Sequence, residues 1–295
     1  MGVDGLGTQS GSRRDSKSGR SIVFLHIPKA AGTTLHRIIE RQYPPATLLT
    51  FGSDAQGSVR KFKELPEARR AEIQVLKGHM AFGLHEFFPQ HATYITILRD
   101  PIERTISYYY HILRNPTHYL YQRVVPQELS IEEVVCGEMT PDLDNGQTRL
   151  LSGVWNDVPC GRCTSDMLEQ AKRNLRDHFA IVGLAERFDE TLLLLRRVFQ
   201  WRWRGLFYVR ANVTPNRPRR DRFPHSTLES LRKYNELDIE LYEYAQGLFE
   251  EQAGRYRRSL AMELAFFRLV NKLMVLGLVN KVCNSTQNQK RRWMK

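Results

Sequence analysis

A short apolar segment, followed by a glycine-containing loop and an amphipathic stretch, constrains the fold of this chain most. Residues 21–26 have the length and apolar character of a buried strand, and Pro28 follows directly. Leu35, Ile38 and Ile39 then share one face of a predicted helix, which the prolines after Tyr43 end. The sequence therefore predicts a strand, a tight loop and a helix in immediate succession.

The rest of the chain repeats this alternation. Further strands are predicted at residues 73–76, 94–98 and 180–184, with a weaker one at 206–209, and helices at residues 102–113, 165–179, 189–199 and 228–249. The last helix is predicted to open with a capping box from Ser226 to Glu229. Strands that alternate with helices indicate an α/β fold with a central parallel sheet flanked by helices. Residues 115–160 are predicted to form an irregular insertion with short helices that shapes a cleft.

The length of 295 residues allows one large domain with appendages. We predict a disordered tail at 1–20, the main domain at 21–258 and a helix with a basic end at 259–295. Glu263, Arg268 and Lys272 argue against a membrane span in that helix, which is predicted either to pack on the domain or to touch a membrane surface weakly. Residues 1–20 hold no apolar run, so the sequence predicts a cytoplasmic protein.

The chain carries an excess of positive charge. Its 44 Lys and Arg against 32 Asp and Glu give a formal net charge of +12. Such an excess favours an anionic partner: nucleic acid, acidic lipid, anionic glycan or a phosphate-rich cofactor. The basic residues are dispersed rather than gathered on one recognition helix or strand, so no nucleic-acid partner is expected.

Four cysteines are too few for a disulfide-dense scaffold. Cys160 and Cys163 form a CxxC pair, whereas Cys136 and Cys283 stand apart. Structural zinc normally needs four ligands, and no second pair at zinc spacing accompanies this one. We therefore expect two loop thiols or a local disulfide rather than a metal site, with a longer disulfide as the other alternative.

The loop after the first strand has the composition of a phosphate site. Backbone N–H groups at a helix N-terminus, together with the helix dipole, attract an anion there. Gly32 permits close approach, Thr33 and Thr34 add hydroxyl groups, and Lys29 adds a positive charge. The loop is not a Walker A motif, because its lysine precedes the glycine, so a kinase or NTPase is disfavoured. The predicted anion-binding set is Lys29, Ala30, Ala31, Gly32, Thr33 and Thr34.

A second anion site is predicted where the 94–98 strand ends. Arg99 follows that strand, and Ser107 lies on the next helix, which opens with Pro101. An arginine grips phosphate with a forked, charge-assisted pair of hydrogen bonds that a lysine cannot copy. Further along, a basic, turn-rich loop contributes Arg217 and Arg220 as candidate anion contacts.

These motifs resemble those of a known enzyme family. Pro28-Lys-Ala-Ala-Gly-Thr-Thr34 resembles the 5′-phosphosulfate loop of sulfotransferases that use 3′-phosphoadenosine 5′-phosphosulfate (PAPS). The segment from Arg99 to Tyr110 resembles the 3′-phosphate element of the heparan sulfate and uronyl 2-O-sulfotransferase branch of sulfotransferase family 2. The resemblance spans residues 21–251. It implies a P-loop-like sulfotransferase domain that moves the sulfuryl group of PAPS to a hydroxyl of a carbohydrate or other alcohol, with an anionic glycan as one candidate acceptor, and without a metal.

The same resemblance implies roles for single residues. Lys29 takes part in catalysis, Arg99 and Ser107 hold the 3′-phosphate, and Arg217 and Arg220 belong to a basic loop over the nucleotide. Two alternatives to the enzyme stay open: a nucleotide-binding but catalytically inactive module, and a basic nucleic-acid-binding protein.

Transfer to an alcohol requires a base, and histidine is the usual one. The Gly-His pair of the 2-O-sulfotransferase branch is matched by Gly78-His79, which implies that His79 is the base. Relatives have His-Gly-His there, whereas this chain has Lys77 in the first position. His26 and His85 are predicted acceptor contacts, with a structural role as the alternative for both. Arg149 is also a predicted acceptor contact, with helix-end pairing as its alternative.

Overall fold

The computed structural model describes residues 20–293 apart from 53, 156 and 210–217, and from 278 onwards only the helical backbone. The strands are β1 (Ser21–Leu25), β2 (Leu48–Thr50), β3 (Val75–Gly78), β4 (Ala92–Leu98) and β5 (Phe179–Leu184). The first helices are α1 (Gly32–Glu40), α2 (Ala55–Glu64), α3 (Glu67–Ala71), α4 (Pro101–Arg114), α5 (Tyr121–Val124), α6 (Ile131–Cys136) and α7 (Gly146–Ser152). They are followed by α8 (Ser165–His178), α9 (Phe188–Phe199), α10 (Trp203–Leu206), α11 (His225–Lys233), α12 (Glu236–Gly254) and α13 (Arg257–Trp293).

The strands form one parallel sheet in the order β2-β3-β1-β4-β5. All five residues of β1 are buried, because helices cover both faces of the sheet. The predicted α/β class with a central parallel sheet is confirmed. The carboxyl ends of parallel strands meet at one edge, and His26, His79 and Arg99 follow β1, β3 and β4 there.

Two apolar clusters hold the molecule together. The larger surrounds the sheet and takes in the buried face of α1, with Leu35, Ile38 and Ile39. The smaller joins α4 and α11 to α6, which belongs to the insertion that was predicted at 115–160. This insertion does consist of short helices and irregular segments, and its cluster is what positions α4 beside the sheet edge.

Three predicted elements differ in the structure. Residues 206–209 form no strand, because Leu206 ends the short helix Trp203–Leu206 and residues 207–209 are irregular. The predicted helix at 228–249 is two helices, α11 and α12, separated by the buried Asn235, whose side chain donates to the carbonyl of Leu231. Helix α11 starts at His225 after Pro224, so the predicted box from Ser226 to Glu229 does not cap it.

Strand β2 and the true capping box were not predicted. β2 is three residues long and only partly buried, so its hydrophobic pattern is too short to predict a strand. The capping box lies at the start of α6, where Ser130 and Glu133 satisfy each other's backbone N–H groups.

The long C-terminal helix α13 packs on the domain through Leu260 and Phe267. Glu263 of this helix receives a hydrogen bond from Arg197 at 2.8 Å, and Arg268 pairs with Asp189 at 3.1 Å. In the part of the chain that the structure describes, no helix is long and apolar enough to cross a membrane. The predicted tail at 1–20 lies outside the described residues except for Arg20.

Candidate functional site

The carboxyl ends of β1, β3 and β4 open into one cleft of about 1570 Å³. Most of the predicted site residues line it, although they lie as far apart in sequence as His26 and Ser107. The predicted residues that line the cleft are His26, Lys29, Ala31, Gly32, Thr33, Thr34, His79, Arg99 and Ser107. The side chain of Ala30 is buried in the core instead, so only its backbone is available.

The loop between β1 and α1 has a backbone shaped for an anion. Lys29 and Ala31 both adopt left-handed conformations, with φ of 68° and 63°. Alternating backbone conformations of this kind direct successive N–H groups into one concavity, and α1 adds the positive end of its dipole. Such angles cost conformational energy in residues other than glycine, and residues held in them are typical of functional loops.

Position 32 requires a glycine because the His26 side chain lies close to its Cα, and not because of its φ. A Cβ atom added at Gly32 would lie 2.0 Å from Nε2 of His26. The His26 ring therefore lies directly against the start of α1, at the edge of the anion loop.

Positively charged side chains lie close to Lys29 and repel its ammonium group. The pKa of Lys29 is lowered from its usual 10.5 to about 8, first because the ammonium is buried and then because Arg114 and Arg99 are near. A bound polyanion would relieve this repulsion. The residues present therefore fit a phosphosulfate or phosphate group.

Arg99 joins the two predicted anion elements. Its Nη1 donates to the carbonyl oxygen of Lys29 at 3.0 Å, and an ion pair to Glu103 spans 3.6 Å. Gln147 of α7 grips the Arg99 backbone from both sides: its Oε1 accepts from the N–H at 3.0 Å, and its Nε2 donates to the carbonyl at 2.9 Å. Nothing in the sequence pattern indicates this role of Gln147.

His79 is held as a base requires. Its Nδ1 lies 2.9 Å from the backbone carbonyl oxygen of His26, and a carbonyl can only accept a hydrogen bond. The proton of neutral His79 is therefore on Nδ1, and Nε2 keeps its lone pair. The ring stacks on that of His26 with centroids 4.3 Å apart. Neutral His79, which lines the cleft, therefore has Nε2 available to accept a proton.

The cleft is also lined by aromatic and imidazole rings that were not predicted from the sequence. His111, His118 and Tyr119 line it, and the His118 ring stacks on Tyr119 with centroids 4.7 Å apart. Burial and the charge of Lys29 lower the pKa of His111 to about 4, so this ring is neutral near pH 7. One sequence signal was present: His111 lies one helical turn after Ser107, on the same face of α4.

Arg149 does not reach the cleft, which corrects its prediction as an acceptor contact. The side chain is fully buried and forms an ion pair with Asp144. It also donates to the carbonyl oxygens of Trp155, Val158 and Pro159, at 3.2, 2.6 and 2.8 Å. The guanidinium N–H groups of Arg149 are thus engaged by Asp144 and by the carbonyl groups of residues 155, 158 and 159, so Arg149 has a structural role.

Two further predicted residues, His85 and Arg220, also lie away from the cleft lining. His85 packs against the rings of Phe82, Tyr94 and His178. Arg220 is partly exposed and forms an ion pair with Asp100 at 3.6 Å. Arg217 lies outside the described residues.

The CxxC pair is present as two free thiols. Burial and the nearby Asp144 carboxylate raise the pKa of Cys163 to about 12, which keeps this thiol protonated. Among the described residues, no group of three or more His, Cys, Asp or Glu side chains is arranged to hold a metal ion.

Two family models cover nearly the whole chain. Residues 15–151 match the sulfotransferase family, and residues 153–291 match the galactose-3-O-sulfotransferase family. The chain belongs to the sulfotransferases. The predicted enzyme class, with PAPS as the sulfuryl donor, is thereby confirmed at the level of the family.

Curated relatives agree with this assignment. Human heparan-sulfate 6-O-sulfotransferase 1 is 28% identical over 299 residues, which cover 84% of this chain and 70% of that protein. Heparan-sulfate 6-O-sulfotransferase 1-B of Danio rerio is 31% identical, over 78% of this chain and 66% of that protein. Human galactose-3-O-sulfotransferase 3 is 26% identical, over 81% of this chain and 58% of that protein.

Among solved structures, mouse sulfotransferase SULT7A1 complexed with PAP, the desulfated nucleotide, overlaps with a TM-score of 0.39 and 13% identity. The overlap covers 76% of this chain and 89% of that chain. Such a loose overlap transfers no residue roles.

The predicted cytoplasmic location is wrong. The relatives are named for heparan sulfate and galactose, acceptors that are sulfated in the Golgi rather than in the cytoplasm. The prediction rested on the missing apolar run in residues 1–20, and a targeting element need not lie in that window.

Proposed function

We propose that this sulfotransferase transfers the sulfuryl group of PAPS to a hydroxyl of a glycan, with His79 as the general base. The observation that carries the proposal is the 2.9 Å contact of His79 Nδ1 with the carbonyl oxygen of His26, which leaves Nε2 of a neutral His79 to accept a proton in the same cleft as the anion loop. PAPS supplies an activated sulfuryl group on a phosphate leaving group. The acceptor oxygen forms the new bond to sulfur, the bond from sulfur to the phosphate oxygen breaks, and the acceptor proton passes to Nε2.

The other cleft residues would bind and neutralise charge. The backbone N–H groups at 29–32 and the Lys29 ammonium suit the 5′-phosphosulfate end, where negative charge builds on the leaving phosphate. Arg99 and Ser107 suit the 3′-phosphate, and the Arg99–Lys29 hydrogen bond supports a fixed spacing between the two anion sites. Arg220 would act from outside the cleft, through its ion pair with Asp100 beside Arg99. Arg217 is retained in the proposal on sequence grounds alone.

An acidic glycan is the acceptor that the cleft suits best. The exposed Arg60 and Lys63 of α2 line the cleft and could pair with sulfate or carboxylate groups of a sugar chain. Tyr119, which also lines the cleft, is 65% exposed and offers a flat surface to a sugar ring. The relatives named for heparan sulfate support the same acceptor class.

The decisive experiment is an acceptor screen with radiolabelled PAPS. Heparan sulfate and desulfated heparin are expected to become labelled, and galactose-terminated oligosaccharides serve as the neutral comparison. Thermal stabilisation by PAP without turnover on any glycan would instead indicate an inactive nucleotide-binding module. Stabilisation by oligonucleotides and not by PAP would indicate a nucleic-acid-binding protein.

We further propose that α13 lies on an anionic membrane surface. Five of its apolar side chains, at positions three or four residues apart, are about half or more exposed: Met262, Phe266, Leu269, Leu273 and Leu276. They lie opposite the face that packs on the domain through Leu260 and Phe267. The sequence that follows carries Lys290, Arg291 and Arg292, which suit acidic headgroups.

A further inference from the structure

A line of polar side chains leads from the edge of α1 to the cleft. Lys77, at the end of β3, is only 1% exposed, and its Nζ lies 2.8 Å from Oε1 of Glu40. The same Nζ lies 3.1 Å from Nδ1 of His36, and Nε2 of His36 lies 3.0 Å from Nδ1 of His26. Glu40, Lys77 and His36 have no role in the function proposed above.

The chemistry of Lys77 fixes the direction of every hydrogen bond in this line. Paired with the Glu40 carboxylate, Lys77 is an ammonium, which can only donate. Nδ1 of His36 therefore accepts, and the proton of a neutral His36 lies on Nε2, from which it is donated to Nδ1 of His26. The proton of a neutral His26 must then lie on its own Nε2.

Both imidazoles are neutral near pH 7, as this argument requires. Burial, followed by the charges of Lys77 and His79, lowers the pKa of His36 to about 4. Burial, with His79, His36, Lys29 and Lys77 as further causes, lowers the pKa of His26 well below its usual value. Glu40 acts on His36 in the opposite direction and is the smallest contribution.

The protonated nitrogen of His26 lies beside the anion loop. A Cβ atom on Gly32 would be 2.0 Å from this Nε2, so the N–H is at the start of α1, where the backbone donors converge. The opposite tautomer would present a lone pair to a bound anion, and the two would repel. A lysine at position 77 excludes that tautomer, whereas a histidine there could donate or accept.

We propose that Glu40, Lys77 and His36 lock His26 as its Nε2–H tautomer, so that His26 adds a neutral hydrogen-bond donor to the phosphosulfate site. This inference rests on the function proposed above. The stacked rings of His26 and His79 then have complementary roles: His26 donates a hydrogen bond to the anion and keeps its proton, whereas His79 accepts the proton of the acceptor hydroxyl. His36 and Lys77 are positioning residues that act through His26.

The test combines a tautomer measurement with kinetics. In protein with ¹⁵N-labelled histidine, two-bond ¹H–¹⁵N correlation spectra distinguish the two neutral tautomers without any ligand. His26 is expected as the Nε2–H form in the wild type and as a mixture in Lys77→Met. Turnover should fall about ten-fold in that variant, the size expected for one hydrogen bond, and PAP, which keeps the 5′-phosphate, should bind more weakly by no more than the same factor. Lys61→Met, on the exposed face of α2, is the matched control.

Two substitutions of His36 distinguish its hydrogen bonds to Lys77 and His26 from a role in packing alone. The amide of His36→Gln can accept from Lys77 and donate to His26, so this variant should retain the tautomer and most of the turnover. His36→Leu can do neither and should behave like Lys77→Met. Equal effects of the two substitutions, or an Nδ1–H form of His26 in the wild type, would overturn the inference. Because the spectra need neither PAPS nor an acceptor, failure of the proposed function is seen separately, as an absence of sulfation by the wild type.

Discussion

At the scale of single residues, the chemistry of the cleft depends on which atom of each side chain is committed to a partner. His79 keeps a lone pair on Nε2 because Nδ1 donates to the carbonyl of His26 at 2.9 Å. Lys29 has a lowered pKa because it is buried among other cations. Single substitutions of His79 and Lys29 test these two properties separately.

His79→Asn is the sharpest test of the base. The asparagine amide can still donate to the His26 carbonyl, as Nδ1 does, but nothing replaces Nε2. Turnover should fall by about 100- to 10,000-fold, the contribution of a positioned base, while calorimetry shows unchanged PAP binding.

His91→Asn, an exposed histidine, is the matched control for His79→Asn and should behave as wild type. Near-normal turnover in His79→Asn would remove His79 from the mechanism. If His85→Ala abolished activity at the same time, His85 would be the base.

The lowered pKa of Lys29 predicts proton uptake when PAP binds. Above about pH 8 the free protein has largely lost the Lys29 proton, and a bound polyanion favours the ammonium. Binding should therefore take up protons there, and PAP affinity should fall as pH rises through this range. Calorimetry in two buffers of different ionisation enthalpy measures the uptake.

The same calorimetry on Lys29→Met should show the uptake abolished, whereas Lys61→Met should leave it intact. Equal proton uptake by the wild type and Lys29→Met would show that another group titrates. Lys29→Ala should also lower turnover by about 100- to 1000-fold, as the loss of one charge-stabilising donor does.

At the scale of secondary-structure elements, α12 anchors the start of α7 and one end of α4. Asp238 of α12 is fully buried and accepts hydrogen bonds from the N–H groups of Gln147 and Thr148 at 3.1 and 2.7 Å. It also pairs with the fully buried Arg104 of α4 at 3.5 Å. Since Gln147 in turn holds Arg99, the anchor connects a distant helix to the anion site.

Asp238→Ala should therefore affect both stability and nucleotide binding. Removing one partner of a buried ion pair leaves the other charge uncompensated, at a cost of about 3–5 kcal/mol. Urea unfolding should show this loss in the free energy of unfolding, and surviving folded protein should bind PAP more weakly. Glu236→Ala, an exposed carboxylate on the same helix, is the control, and an equal loss in both variants would contradict the anchor.

At the scale of the whole molecule, α13 has an apolar outer face in addition to the inner face that packs on the domain through Leu260 and Phe267. The ion pairs of Glu263 and Arg268 join the helix to α9, whereas Leu269 and Leu273 are 58% and 59% exposed. The outer face of a surface helix is normally polar, so this apolar outer face needs a partner.

Leu269→Glu combined with Leu273→Glu should abolish co-sedimentation with vesicles that contain phosphatidylserine. Turnover on a soluble acceptor should stay the same, because Leu269 and Leu273 do not line the cleft. Neutral phosphatidylcholine vesicles and the variant Val209→Glu, an exposed apolar residue elsewhere, are the controls. Absence of vesicle binding by the wild type would refute the membrane proposal. Self-association that the double substitution abolishes would place a second copy on this face instead.

The local elements and the residue types of the site could be predicted from the sequence alone. Strand-length apolar runs, a glycine and a lysine between a strand and a helix, and Arg99 after the next strand are short-range patterns. They indicated the parallel α/β sheet and the anion loop without any tertiary information. His79 could be proposed as the base on the same ground, since it directly follows a strand and matches the family's Gly-His pair.

Only the tertiary structure decided how those residues act on one another. The tautomers of His26 and His79 follow from contacts between residues 10 and 53 positions apart in sequence. Arg149 had the right chemistry for an acceptor contact, yet packing buries it against carbonyl oxygens. A local pattern reports which groups a segment offers, whereas protonation, burial and partner choice depend on what the fold places beside them.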